Sequence, residues 1–110
     1  MKLAALIVLC CLTCNAADQA SWYGEDHRGL LMANGKPFNP DKLTAASWFY
    51  ELGTRVVVTH ARRSVVVEIT DRGPARHLVN KGRKIDLSQA AFARLADPHR
   101  GLIDVSIRKP

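Results

Sequence analysis

The chain contains 110 residues, of which 47% are hydrophobic and 24% are charged, and its formal net charge is +6. This length suffices for one small domain with one hydrophobic core. All three cysteines lie within the first 14 residues, so the rest of the chain excludes disulfides, cysteine zinc sites and thiol nucleophiles. The chemistry that remains is that of carboxylates, histidines or hydroxyl groups.

The first residues have the pattern of a secretory signal peptide. A short positive start precedes an apolar run over residues 3–12, and small residues follow where cleavage after Ala16 or Ala17 is expected. We therefore expect residues 1–16 to be a signal peptide, residues 17–110 to be the mature domain, and the protein to be exported to the periplasm or cell envelope. The apolar run is shorter than the roughly 20 residues of a membrane span, so we expect no integral span. The nearby cysteines leave a lipid anchor as an alternative.

The segments that follow are rich in β-branched residues. We predict a short strand at Ala20–Gly24, a loop over residues 25–43 with many turn residues, and a short strand at Thr44–Phe49. Arg55–His60 and Ser64–Thr70 are β-branched runs joined by a short polar connection, which predicts a hairpin. Their valine runs do not alternate with polar residues, which indicates strands covered on both faces, as in a small closed barrel.

The C-terminal part contains one convincing helix. Ser88 can cap it, Gln89–Ala96 places apolar residues on one face, and an Asp-Pro pair ends it. Gly101–Arg108 alternates apolar and other residues and is predicted to be the last strand. The sequence thus predicts a β-rich barrel with one short α-helix at about residues 88–96.

Two aspartates occupy rigid points of this pattern. Asp71 follows the second β-branched run and precedes Arg72-Gly73-Pro74, where glycine permits an unusual backbone and proline restricts the exit. Asp86 lies between two apolar residues just before the helix. Each carboxylate could be catalytic, or could accept backbone N–H groups in a tight loop or at a helix start. The residues alone leave both possibilities open.

Other kinds of site lack their expected patterns. The four histidines have no metal-like spacing, and no serine lies in a Gly-x-Ser-x-Gly turn. No glycine-rich phosphate loop follows a strand, and the basic pairs are not interleaved with aromatic residues. The sequence therefore predicts no metal, no cofactor and no nucleic-acid partner. The positive charge suits an acidic polymer such as a cell-wall glycan, or a soluble basic surface without a particular partner.

Several motifs resemble the RlpA family in order and spacing, from about Ala20 to Ile107. They are Ala20-Ser21-Trp22-Tyr23-Gly24, Ala33-Asn34-Gly35, Leu43-Thr44-Ala45-Ala46, Leu52-Gly53-Thr54, Asp71-Arg72-Gly73-Pro74 and Ile85-Asp86-Leu87-Ser88. The resemblance implies a mainly β, six-stranded double-psi β-barrel. It further implies a lytic transglycosylase, a lyase that cleaves the MurNAc–GlcNAc bond of peptidoglycan glycan strands and leaves a 1,6-anhydro-MurNAc end. We expect such a protein to be a monomer.

The resemblance also implies a set of site residues. Asp71 is the first candidate for the acid/base and Asp86 is the second, since one such group can serve both proton transfers when a substrate hydroxyl attacks. Substrate contacts are predicted at the matching cleft positions and at nearby aromatic residues: Trp22, Tyr23, Asn34, Lys36, Asn39, Ser47, Trp48 and Arg72. The aromatic side chains could instead pack in the core.

Three cleft positions depart from the residues usual in the family. Lys36 stands where an acid is frequent, Asn39 where an aspartate is frequent, and Ser47 where a histidine is usual. Either the two aspartates carry the proton chemistry, or the barrel binds glycan without cutting it, as an expansin-like wall-binding or wall-loosening module. A secreted effector or inhibitor is a further alternative.

Overall fold

The computed structural model describes residues 18–110, so the predicted signal peptide and its cleavage point lie outside the described residues. The described strands are β1 (Asp18–Tyr23), β2 (Thr44–Ala46), β3 (Arg55–His60), β4 (Arg63–Asp71), β5 (Arg83–Ser88) and β6 (Ile103–Arg108). The helices are α1 (Arg76–Val79) and α2 (Gln89–Leu95), and Glu25–His27 and Pro98–Arg100 are 3-10 turns. Across residues 18–110, no helix is long and apolar enough to cross a membrane.

The six strands close into one barrel. Their order around it is β1-β5-β2-β4-β3-β6, with β6 returning to β1. The β1–β5 and β2–β4 pairs are parallel, and the other four pairs are antiparallel. Closure leaves no open sheet edge, since every strand has a neighbour on both sides. The six-stranded β-barrel implied by the resemblance is therefore confirmed.

The predicted hairpin of β3 and β4 is also confirmed, but coverage on both faces applies to β3 alone. Val56, Val57 and Val58 of β3 are all buried. In β4, Val67 is buried whereas Val66 is 39% exposed, which is the ordinary alternation of a strand with one face in the core. The run of valines therefore overstated the burial of β4.

Helix α2 closes the core of the barrel. Ser88 caps it as predicted, since its Oγ accepts a hydrogen bond from the Ala91 backbone N–H at 3.2 Å. Phe92 and Leu95 of α2 are buried against the strands. The hydrophobic core comprises Ala20, Ala45, Val56, Val58, Val65, Val67, Ile69, Ile85, Leu87, Ala91, Phe92, Leu95, Ile103 and Val105.

Three local features differ from the sequence-based expectation. The strand predicted at Thr44–Phe49 ends at Ala46, and bends follow at residues 48–50. Strand β5 was not recognised from its pattern because only two of its residues are large and apolar. Within residues 18–110, helix α1 brings the number of α-helices to two rather than one, and its four residues are too few to show a helical period.

Candidate functional site

Asp71 and Asp86 lie at the same level of the barrel wall, on either side of one residue of β2. That residue, Ala46, pairs with Asp86 of β5 and with Asp71 of β4. A register irregularity between Ala45 and Ala46 brings Asp71, rather than Thr70, opposite Ala46. Because neighbouring strands are about 4.8 Å apart, the Cα atoms of the two aspartates are roughly 10 Å apart. The structure therefore brings the two predicted acids together.

The carboxyl group of Asp86 is partly enclosed by β1 and by the Asp-Arg-Gly-Pro loop. Ser21, its register partner in β1, donates a hydrogen bond from Oγ to Oδ1. A Cβ added to Gly73 would lie 3.4 Å from Oδ2, so the loop backbone approaches the carboxyl closely. Burial raises the pKa of Asp86 above its ordinary value, against the opposing effects of the Ser21 hydrogen bond and the charge of Arg83. Asp86 thus holds a proton more readily than an exposed aspartate does.

Asp71 has a different environment, because backbone groups hold it. Its Oδ1 accepts hydrogen bonds from the backbone N–H groups of Ala33 and Arg72, each at 2.8 Å. Ala33 belongs to a small hairpin in which Leu31 pairs with Pro37. Asp71 therefore joins this hairpin to the end of β4.

Tyr23 lies close enough to both acids for their charges to act on its phenol. Its ring stacks on Phe38 with centroids 4.2 Å apart and meets the edge of His27 at 5.4 Å. Burial, together with the negative charges of Asp71 and Asp86, raises the pKa of the phenol far above its ordinary value. Its buried hydroxyl lies near Asp71 without the geometry of a hydrogen bond, and within residues 18–110 it has no partner. A protonated donor is thus available beside both carboxyl groups.

Arg72 positions a neighbouring loop. Its Nη1 donates to the backbone carbonyls of Ser47 at 2.6 Å and Tyr50 at 2.7 Å. Ser47 is only 1% exposed, and its Oγ accepts a hydrogen bond from the Phe49 N–H at 3.1 Å. Both side chains are engaged inside the protein in this structure, and their predicted contacts with substrate stay predictions.

The same loop presents aromatic rings to the surface. Trp48 is 38% exposed, and its Nε1 donates a hydrogen bond to the Pro74 carbonyl at 2.6 Å. The guanidinium of Arg76 lies over its ring, 4.1 Å from the ring centre. Phe49 is 52% exposed and lies 4.7 Å from Lys84 Nζ. The loop therefore offers an aromatic surface with cations against it, beside the Asp-Arg-Gly-Pro loop.

Three other predicted contact residues come together in a separate groove. Asn34, Lys36 and Asn39 line a depression of about 280 Å³ whose wall includes Glu68 and Thr70. The Oδ1 atoms of Asn34 and Asn39 accept backbone N–H groups two residues ahead, each at 2.9 Å. The groove lies close to Asp71, because Asn34 on its wall follows Ala33, whose backbone N–H donates to the Asp71 carboxylate.

Trp22 combines an internal and an external role. Its ring packs against Phe92 with centroids 6.3 Å apart, and its Nε1 donates to the Pro98 carbonyl at 2.8 Å. The same side chain lines a surface depression of about 440 Å³ together with Tyr23 and His27. The ring is thus anchored by the core and partly accessible.

Reasoning from the sequence did not single out Ser21, Gly73 or Ala33 as parts of the site. Ser21 lies two residues before Tyr23 in β1, so strand alternation places both on one face, which was a usable signal. The contacts of Gly73 with Asp86 and of Ala33 with Asp71 span 13 and 38 residues. Such contacts depend on the barrel order, which alternation within one strand does not predict.

Comparisons with known proteins agree with this architecture. A family model described as lytic transglycolase matches residues 15–107. An uncharacterised protein of Synechocystis sp. is 40% identical over 95 residues, which cover 84% of this chain and 97% of that protein. A protein of the same organism named a probable endolytic peptidoglycan transglycosylase RlpA is 44% identical, over 80% of this chain and 27% of its own length. The endolytic peptidoglycan transglycosylase RlpA of Yersinia pestis is 45% identical, over 69% of this chain and 21% of its own length.

A solved structure shares the fold. The Streptomyces papain inhibitor is 25% identical with a TM-score of 0.67, and the match covers 84% of this chain and 90% of that one. This chain thus spans about a quarter of the two named transglycosylases and nearly all of the uncharacterised protein. With the motifs, the closed barrel and the family match in agreement, the chain belongs to the RlpA-like family of double-psi β-barrel proteins.

Proposed function

We propose that this barrel acts on peptidoglycan as a lytic transglycosylase, cleaving the MurNAc–GlcNAc bond and leaving a 1,6-anhydro-MurNAc end. The names of its RlpA relatives support this target. One observation of the structure supports the proposal. Asp86 is a partly buried aspartate with a raised pKa, and its strand lies between the strands of Ser21 and Ala46. A second carboxylate, that of Asp71, lies two strands away from it. Paired acids in unlike environments are the usual arrangement for acid/base work on glycosidic bonds.

We assign the acid/base role to Asp86 ahead of Asp71, which reverses the order suggested by the resemblance. Asp86 in its protonated form donates its proton to the glycosidic oxygen as the C1–O bond breaks. The resulting carboxylate then takes the proton from the substrate's C6 hydroxyl, whose oxygen forms the new bond to C1. One group thus gives and regains one proton, and no water is consumed.

The other residues have supporting roles in this scheme. Asp71 supplies a fixed negative charge that favours the positive character developing at C1. Tyr23 offers its hydroxyl hydrogen toward the two carboxyl groups. The groove at Lys36 and the exposed ring of Trp48 flank the acids and provide surfaces for the sugar units.

Product analysis tests the proposal. The purified protein is incubated with intact peptidoglycan and with peptide-stripped glycan, and the products are identified by mass spectrometry. We expect anhydro-ended products from the wild type and their loss in Asp86→Asn, with Asp104→Asn, an exposed aspartate of β6, as the matched control. A folded wild type that releases no anhydro ends from either substrate would refute the enzymatic function.

A second candidate is a barrel that binds without cutting. Lys36 and Asn39 stand at cleft positions where acids are frequent in the family, Ser47 is buried, and the same fold occurs in a protein named as a papain inhibitor. This candidate predicts that the protein sediments with peptidoglycan, that binding weakens with salt, and that no new chain ends form. Absence of binding at low ionic strength would exclude it.

A further inference from the structure

A second concave surface lies far from the two aspartates. It is formed at the tip of the β3–β4 hairpin, the end of α2 and the 3-10 turn after it, and it encloses about 810 Å³. We call it the basic groove; it is lined by His60, Ala61, Arg62, Arg63, Ala93, Leu95, Ala96, Asp97, Pro98 and Arg100. Arg63 begins the nine-residue strand that Asp71 ends, so the groove and the acids are roughly 25 Å apart at about 3.3 Å per residue.

The charge of the basic groove is strongly positive. It contains three guanidinium groups and one carboxylate, that of Asp97. Asp97 is engaged with His99, whose backbone N–H and ring Nδ1 lie 2.9 and 3.0 Å from its Oδ1. Within residues 18–110, Arg62, Arg63 and Arg100 form no ion pair.

His60 holds one of these arginines in place. Its Nδ1 is 2.7 Å from the backbone carbonyl of Asp104, which can only accept, so Nδ1 carries the hydrogen. Its Nε2 is 3.3 Å from Nη1 of Arg100, which can only donate, so Nε2 accepts. The imidazole thereby orients the guanidinium of Arg100.

The rest of the lining indicates the chemistry of the ligand. The floor is built of small or aliphatic side chains, those of Ala93, Leu95, Ala96 and Pro98. The lining contains no Phe, Tyr or Trp, and its one imidazole, that of His60, is held between the Asp104 carbonyl and Arg100, so the groove lacks the large aromatic platform on which sugars or nucleic-acid bases stack. Guanidinium groups bind carboxylates bidentately, and an aliphatic floor suits short apolar side chains. The volume falls within the roughly 300–1,000 Å³ of ligand sites.

We propose that the basic groove binds a short acidic peptide, of the kind that branches from peptidoglycan strands. The identity of the peptide rests on the proposed function, whereas the ligand class rests on the groove itself. The barrel then contacts the wall at two places, with the peptide at one end and the glycan at the aspartates.

The test compares two charge-matched double variants. Arg62→Gln/Arg63→Gln removes two exposed guanidinium groups of the groove, and Arg108→Gln/Lys109→Gln removes two exposed positive charges outside it. The probes are the soluble peptides released from peptidoglycan by an amidase, the peptide-free glycan that remains, a DNA oligonucleotide and anionic phospholipid vesicles. Binding is measured by titration calorimetry or sedimentation at low and moderate salt.

We expect the wild type to bind the released peptides and the groove variant to bind them roughly tenfold more weakly, since two exposed charge pairs together contribute about that factor. The control variant should bind nearly as the wild type does. The proposal would be overturned if the wild type did not bind the peptides, or if both variants lost the same affinity for them. It would also be overturned if DNA or vesicles bound as tightly as the peptides and lost the same affinity in the groove variant. Binding of peptide-free glycan alone would overturn this proposal and leave the proposed function standing. Peptide binding without anhydro products would support the peptide site and overturn the proposed enzymatic function.

Discussion

Replacement of Asp86 by asparagine should strongly reduce activity and yet stabilise the fold at neutral pH. The change removes a charge that burial disfavours, while the amide oxygen can still accept the hydrogen bond of Ser21. Removing a partly desolvated charge gains about 1–3 kcal/mol, and exchanging a charge-assisted hydrogen bond for a neutral one loses about 1 kcal/mol. The expected net gain is on the order of 1 kcal/mol, which raises Tm by about 4–8 °C in a domain of this size. Activity should fall by roughly 100- to 10,000-fold.

The sign of the pH dependence follows from the direction of the shift. The pKa of Asp86 is raised in the folded protein, so the folded state binds its proton more tightly than the unfolded state does. The stability that this group contributes is therefore fully present below the unfolded pKa of about 3.9 and is lost as the pH rises through the folded pKa. The advantage of Asp86→Asn should thus be small at about pH 4 and largest near about pH 8.

Thermal unfolding of both proteins across this pH range measures the effect, and Asp71→Asn provides the matched control. Asp71 accepts two backbone N–H groups, so neutralising it weakens two charge-assisted bonds and should lower Tm at neutral pH. The two isosteric changes are therefore expected to shift Tm in opposite directions. A lower Tm for Asp86→Asn at neutral pH, or a difference between wild type and variant that does not change with pH, would refute the reasoning.

Three further substitutions probe the scaffold around the site. Ser88→Ala should lower the free energy of unfolding by about 1–2 kcal/mol, because the buried Oγ caps α2 and donates to the Lys42 carbonyl at 2.6 Å; urea denaturation measures it. Arg72→Lys should cost about 1–2 kcal/mol and speed amide exchange in the loop it holds, since the shorter lysine side chain ends before the position of Nη1, which donates both hydrogen bonds. Gly24→Ala should displace the Trp22 ring, because the added Cβ would lie 2.8 Å from its Cζ3; tryptophan fluorescence reports the shift.

Each of these has a control and a contrary outcome. The control Ser106→Ala changes an exposed residue of β6 and should leave the free energy of unfolding within about 0.5 kcal/mol of the wild-type value. An equal loss of stability in Ser88→Ala and Ser106→Ala would refute the stabilising role of the Ser88 cap. Exchange rates that rise throughout the barrel in Arg72→Lys would indicate general loosening rather than release of one loop. An unchanged emission spectrum for Gly24→Ala would mean that Gln89, at 2.7 Å from the added atom, yields in place of the ring.

The elements that the sequence predicted well depend on neighbours along the chain. The β3–β4 hairpin follows from two β-branched runs around a short polar connection, and the cap at Ser88 from the residue type before an apolar helical pattern. The two aspartates were recognisable as candidates because each stands at a rigid, locally defined position. The RlpA-like resemblance supplied the six-stranded barrel, whereas the position of its sixth strand, β5, came from the structure.

The tertiary structure decided how the two aspartates differ. Their common level depends on both pairing with Ala46, and the burial of Asp86 depends on Ser21 and Gly73, 65 and 13 residues away. The basic groove likewise joins a hairpin tip to a turn about 40 residues later. Residue types determine which groups can titrate, bond or stack, because these properties belong to single side chains. Which of them meet, and how far water is excluded from each, depends on the order of strands around the barrel, and no local period encodes that order.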